Sequence, residues 1–210
     1  MPQIKKNIPY HQQAYELLKE EILTGKLRCG ERISEVGLSQ MLKISRSPVR
    51  EAIRMLEQDG LVVSDAGDHL INPMEPQTIR DIYEFRIGVE SYAARLATRH
   101  FQQKDYDFLM FCIQKCKEAD AAHTPLDQVY YSTQYHDYIV SLSGNSFMIE
   151  QLGKIRNLVT LSRIKELNHD LSYAGLDHVQ IANEMLAGHE DEVEHLMRNH
   201  LTNNIRSILS

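Results

Sequence analysis

Apolar positions along the chain repeat at helical spacing almost everywhere. Between Tyr10 and Gly25, Ala14, Leu17, Leu18, Ile22 and Leu23 fall on one helical stripe that stops at a glycine, the usual residue just past a helix end. After the turn LRCGER, Ser34 stands where it can cap a second short helix through Val36, Leu38, Met41 and Leu42. A third helix begins after Ser45, carries Pro48 in its first turn, where no intrahelical N–H is lost, and ends at Gly60. Its apolar stripe is Val49, Ala52, Ile53 and Leu56, which turns Arg46, Arg50 and Arg54 outward. The runs LVVS and HLIN, on either side of Asp65-Ala66-Gly67-Asp68, then change the period from helix to strand and predict a hairpin. Three helices followed by a hairpin make a winged helix-turn-helix.

Pro73 and Pro76 bracket a short linker, and strand signals cease beyond it. Helical periodicity predicts six more helices, near 76–101, 103–121, 125–143, 146–167, 171–187 and 189–209, with breaks at Pro125, Gly144-Asn145, Asn168 and Gly188. The expectation is a mainly α chain. Residues 1–72 form a winged helix-turn-helix, 73–76 a linker, and 77–210 an all-α antiparallel helical bundle.

With 210 residues, 42% of them hydrophobic, the chain can bury a substantial core. No apolar run reaches the ~18 residues of a membrane span, and the basic start MPQIKKNIPY is not followed by the apolar stretch of a signal peptide, so the expected location is the cytoplasm. Cys29, Cys112 and Cys116 are odd in number and have no CxxC spacing. Cys112 and Cys116 read as buried small apolar residues.

Charge changes the picture more when it is divided than when it is summed. The net charge is −6, yet residues 1–74 hold ten basic and ten acidic side chains, so all the excess acid belongs to the second part. Within the first part, Lys43, Arg46, Arg50 and Arg54 gather in twelve residues that contain one acid, Glu51. A helix that enters the DNA major groove needs small or cationic residues near its N-terminus and donors for phosphates, and Ser45, Arg46, Ser47 and Arg50 meet that need.

The stretch YELLKEEILTGKLRCGERISEVGLSQMLKISRSPVREAIRMLEQDGLV contains I-x-x-G-x-L-x-x-G-x-R and S-R-x-P-V-R-E-A-I. It resembles the DNA-binding domain of the GntR family of bacterial transcription regulators. The resemblance implies that Arg46 and Arg50 lead the contacts to a double-stranded operator and that Ser45 and Ser47 assist. Lys43 and Arg54 flank them as phosphate contacts, and Gly67 lies at the tip of the wing. Two departures stand out: Val36 occupies a position where many members carry a DNA-touching arginine, and Asp65 and Asp68 flank Gly67 where basic residues are common.

In the helical half, His136, His178 and His200 each fall on or beside the inward stripe of a different helix. Each one alone reads as a buried histidine paired to a neighbour; together they offer neutral nitrogens to a divalent metal such as zinc or nickel. Arg86 shares a face with Ile82, Val89 and Ala93, so it points inward, where it needs a partner such as Glu90. The segments IYEFRIGVESYAARLA, STQYHDYIVSLSGN and DHVQIANEMLAGHEDEVEHLMRNHL resemble the FCD effector domain of the FadR subfamily. That resemblance implies one aspartate and three histidines around a metal. The histidines correspond to His136, His178 and His200, whereas Ser132 stands at the aspartate's place. It also implies a small organic acid effector met by Arg86, and a homodimer that represses transcription from a palindromic operator. Arg163 and the tyrosines Tyr83, Tyr130, Tyr135 and Tyr138 are further candidates to line the same cavity, against the plainer reading of the tyrosines as packing.

A metal-dependent enzyme is the competing reading. No HExxH, no Glu-x-x-His pair at the spacing of a metal-binding bundle, no nucleophile elbow and no glycine-rich phosphate loop supports it. An architectural DNA binder without an effector is the third, and it predicts filled space among His136, His178, His200 and Arg86.

Overall fold

The computed structural model describes residues 8–65, 67–166 and 176–209. The chain divides into two compact units, Met1–Met74 and Glu75–Ser210.

In the first unit, helices α1 (Tyr10–Leu23), α2 (Glu35–Leu42) and α3 (Arg46–Gln58) are followed by strands β2 (Val62–Asp65) and β3 (Asp68–Ile71). A two-residue strand β1 (Arg32–Ile33), with no periodicity to betray it, precedes α2 and pairs with β3, so the sheet order is β1-β3-β2. All pairs are antiparallel: Arg32 lies opposite Leu70, and Val62 opposite Ile71. The core joins Leu18 and Ile22 of α1 to Val49, Ala52, Ile53 and Leu56 of α3, with Leu61 and Ile71 beneath the wing. Two expected core positions of α2 are solvent-facing instead: Val36 and Met41 are exposed, and Leu38 alone of its stripe is buried. A two-turn helix lying against α3 has room to bury one line of side chains, and Leu38 takes it. Leu17 of α1 is likewise exposed.

Local signals explain the helix-turn-helix corner. The Ser34 hydroxyl accepts from the Gly37 N–H and caps α2; Lys43 ends that helix in the left-handed region, with its N–H donating to the Ser39 carbonyl. This reversal leaves Ser45 as the residue before α3. Pro48 is the third residue of α3, within the turn whose N–H groups lack helical acceptors in any case.

The second unit contains α4 (Pro76–Thr98), α5 (Gln103–Ala121), α6 (Pro125–Leu142), α7 (Ser146–Glu166), α8 (Leu176–Ala187) and α9 (Glu190–Leu209). The opening of the expected fifth helix, 171–175, lies outside the described residues. Helix α4 packs along α9, α5 against α6, and α6 and α7 against each other and α4. Its main core includes Leu109, Cys112, Ile113, Ile139, Ile181, Met185, Val193, Met197 and Leu201. Burial pushes the Cys112 thiol up to about 11, so it is a packing group rather than a thiolate. Among the described residues no helix is long and apolar enough to cross a membrane.

Candidate functional site

Each unit carries its own site. In the first, the N-terminal half of α3 presents Ser45, Arg46, Ser47 and Arg50 at an exposed surface, with Lys43 before them and Arg54 one turn on, also exposed. Gly67 stands at the tip of the hairpin with a positive φ that suits glycine. The Ser45 hydroxyl makes no capping bond to α3. The three arginines differ in their ties. Arg54 pairs with Glu51 at 2.9 Å, and Arg50 is clasped by Glu35 of α2, Nε donating to Oε1 at 2.6 Å and Nη2 to Oε2 at 2.8 Å. Arg46 makes no hydrogen bond or ion pair among the described residues, although its charge helps to hold the Glu35 carboxyl below its usual range, after the Arg50 bond that dominates. At the wing, Asp68 is neutralised by Arg32 at 2.6 Å, which limits its repulsion of phosphates.

In the second unit, α6, α8 and α9 bring His136, His178 and His200 together. All three are buried, and one ligand nitrogen from each lies within 4.8 Å of the others. Burial, the leading cause in each case, holds all three imidazoles neutral: His136 is pushed down to about 3, His178 well below its ordinary value, and His200 downward against the pull of Asp177. Neutral, converging, desolvated imidazoles are what a divalent metal requires. The His136 Nε2 atom is buried without a hydrogen-bond partner. Its Nδ1 lies 2.9 Å from Glu90 Oε2, at ion-pair distance but out of line for a hydrogen bond. His200 Nδ1 is 3.5 Å from Asp177 Oδ2, and its Nε2 is 3.1 Å from the Asn204 amide. Three converging, buried, neutral imidazoles, with His136 Nε2 unpartnered, make the residues fit for a metal.

Beside this cluster α4, α6 and α7 line a small cleft with a cavity volume of about 20 Å³, room for roughly one water. Thr133, His136, Asp137 and Val140 line it from α6, Leu152, Arg156, Val159 and Arg163 from α7, and Arg86 and Glu90 from α4. Three guanidiniums face two carboxylates. Arg86, wholly buried, donates to Glu90 at 2.6 and 3.3 Å and rests on the Tyr83 ring, while its Nη1 is left without a partner. Burial opposes ionisation of Glu90, but Arg86 and His136 outweigh it and hold the carboxyl well below the usual range. Arg156 pairs with Asp137 at 2.8 Å. Arg163 has hydroxyl partners: its Nη1 donates to Ser132 at 3.2 Å and to Thr133 at 3.5 Å. A cationic wall with unspent donors suits an anion.

The candidate residues therefore separate. Arg86 and Arg163 line the cleft; Tyr83 and Tyr135 do not. Tyr83 supports Arg86 from below, and Tyr135 packs edge-on against His178, whose carbonyl accepts its hydroxyl at 2.9 Å. Ser132 serves Arg163.

Residues 10–68 match the bacterial regulatory proteins of the gntR family, and residues 81–203 match the FCD domain. The chain belongs to the GntR family. It is 30% identical over 83% of its length to the uncharacterized HTH-type transcriptional regulator YdhC of Bacillus subtilis, of which it covers 76%. It is 25% identical to the HTH-type transcriptional repressor GlaR of Escherichia coli, over 89% of this chain and 90% of that one. Its fold is that of a GntR regulator chain from Rhodococcus sp. RHA1, with a TM-score of 0.78 at 21% identity, over 95% of this chain and 97% of that chain.

As a GntR protein with an FCD domain, the molecule is a DNA-binding transcription regulator with an effector-binding domain. Its GntR unit holds one residue that sequence reading passed over, Glu35, for which a lone acid on α2 gave no signal. In its FCD unit the overlooked residues are Thr133, Asp137 and Arg156. A signal for Arg156 existed: Leu152, Arg156, Val159 and Arg163 recur at intervals of four, three and four, one stripe of α7.

Proposed function

We propose that this regulator is a repressor that binds a palindromic operator as a homodimer and changes its grip when a small organic acid enters the FCD cleft. The observation that carries this reading is the cleft, where the unpartnered Nη1 of buried Arg86 and the hydroxyl-held Arg163 stand beside His136 with its unpartnered Nε2. An effector carboxylate satisfies Arg86 Nη1 and takes the outer face of Arg163, while Leu152, Val140 and Val159 exclude water around its carbon chain.

His136, His178 and His200 would hold a divalent metal such as zinc or nickel. Such an ion, when bound, supplies a Lewis-acidic position for a second oxygen of the effector. Glu90 neutralises Arg86 and lies 2.9 Å from His136, so one carboxylate adjoins both the imidazole cluster and the arginine wall. Ser132, at the place where the FadR subfamily commonly offers an aspartate, contributes no charge and frees Arg163 from a competing carboxylate.

At the DNA end Arg46 and Arg50 read bases, Ser45 and Ser47 meet phosphates or base edges, and Lys43 and Arg54 flank them, with Gly67 of the wing nearby. One short helix reads too few base pairs for adequate specificity, which two copies on a symmetric site supply. Phe85 and Tyr92 of α4 and Phe147 of α7, all exposed, offer apolar surface for the second copy. As a regulator of bacterial genes it acts in the cytoplasm, where the DNA is. Effector binding biases the dimer toward a spacing of its two reading heads that no longer fits the half-sites.

The test combines elemental analysis with thermal shifts over a panel of hydroxy and dicarboxylic acids, lactate and malate among them. The expected result is metal in the parent, its loss in His178→Ala, and an acid that raises Tm in the parent but not in Arg163→Ala. A parent without metal and without any acid-dependent shift contradicts the effector reading.

A further inference from the structure

The geometry points to Glu35 as the residue that gives Arg50 its sequence specificity, by fixing the plane of its guanidinium and leaving one donor edge for a base. This inference rests on the reading of Arg50 as an operator contact.

A guanidinium has two forked edges, one formed by Nε with its neighbouring Nη and the other by the two terminal nitrogens. Glu35 occupies the first edge with two bonds of 2.6 and 2.8 Å through Nε and Nη2. The second edge, from Nη1 and the remaining Nη2 hydrogen, stays open. An end-on fork of this kind matches the two acceptors, O6 and N7, that guanine shows in the major groove. Glu35 is anchored through its backbone. It is the first residue of α2, directly after the Ser34 cap, and its side chain is 24% exposed against 55% for Arg50. The clasp bridges fifteen residues and the two helices of the helix-turn-helix, so the aim of Arg50 is set by the fold and not by its own rotamers. An acid on a surface that meets phosphates is a liability unless its charge is spent, and here Arg50 spends it, with Arg46 close enough to add its own field.

Without Glu35, Arg50 keeps its charge and loses its aim. A free arginine on this surface reaches the nearest phosphate instead, a contact that raises affinity for every sequence alike.

The experiment uses full-length parent, Glu35→Gln, Glu35→Asp and Arg50→Ala proteins. Each is titrated against a duplex selected by the parent from a random pool and against a scrambled duplex of equal length, over a series of salt concentrations. The expected result for Glu35→Gln is unchanged or tighter binding to the scrambled duplex, together with a specific-to-scrambled ratio reduced about tenfold, the size of one guanine fork. Its salt slope on the scrambled duplex steepens by about 0.9, one added phosphate contact. Glu35→Asp keeps the charge but cannot span the clasp, and its ratio falls too; an Asp variant that matches the parent means that charge alone matters and overturns the proposal. So does a Glu35→Gln ratio within twofold of the parent at an unchanged Tm. Arg50→Ala separates the two levels: if it loses the ratio while Glu35→Gln keeps it, the positioning role fails and the base-reading role stands. If Arg50→Ala keeps the ratio, both fail.

Discussion

The two units use charge in opposite ways. In the winged-helix unit, ion pairs lie at the surface: Arg54 with Glu51, Arg32 with Asp68 and Arg50 with Glu35 all keep at least one well-exposed partner. In the helical unit the central charges are interred, with Arg86, Glu90 and His136 each at most 5% exposed. A surface pair costs little to make or break, which lets Arg54 exchange Glu51 for a phosphate, whereas Arg50 meets DNA with the donors that Glu35 leaves open. A buried set is stable only while complete, which suits a chamber meant to register an incoming ion. Each unit therefore keeps its function in a different place. The first keeps it in side chains that remain available, the second in donors that folding leaves without partners.

Glu90→Ala has the largest expected effect, because it strands the buried Arg86 guanidinium. The expected loss is about 3–5 kcal/mol, read as a lower urea midpoint of the helical unit. Arg46→Ala acts at the opposite pole: operator affinity drops by about 1–3 kcal/mol in anisotropy titrations, with the melting temperature and the oligomeric state unchanged.

Acid sharpens the comparison further. The unfolded chain protonates His136 near 6.5, whereas the folded chain does so only near 3. Its stabilising share is therefore complete above 6.5 and is lost as pH falls toward 3, by up to about 1.4 kcal/mol per pH unit. His178 and His200 shift in the same direction and steepen the loss. Chelator-treated protein melted at several pH values should show this acid loss in the helical unit. The smallest effect belongs to Glu51→Ala, whose surface pair with Arg54 is worth about 0–1 kcal/mol and leaves the midpoint nearly still.

Much of this was legible in the sequence because helical periodicity and capping residues act locally. The stripe Val49, Ala52, Ile53 and Leu56 had to face inward, so Arg46 and Arg50 had to face out, and they do. The inward histidines also followed from periodicity, since Ile139, Ile181 and Met197 share their faces. What stayed hidden depends on contacts distant in sequence. Strand β1 is two residues long and exists because β3 lies beside it. The Glu35–Arg50 clasp joins two helices, and nothing in either stretch requires it. The exposure of Val36 and Met41 reflects how little surface a two-turn helix can bury. Tyr135 was legible as inward, but its hydroxyl turns to the His178 carbonyl and not to the cleft, a choice that only the packing of α6 on α8 decides.

Coupling between the two units is read from the affinity of the metal-loaded protein for its selected operator duplex, measured at one salt concentration with and without an acid that raises Tm. The expected result is at least about a fivefold change in affinity, the lower end of ordinary allosteric coupling, and its disappearance in Arg163→Ala. An acid that stabilises the parent yet leaves operator affinity unchanged would contradict it.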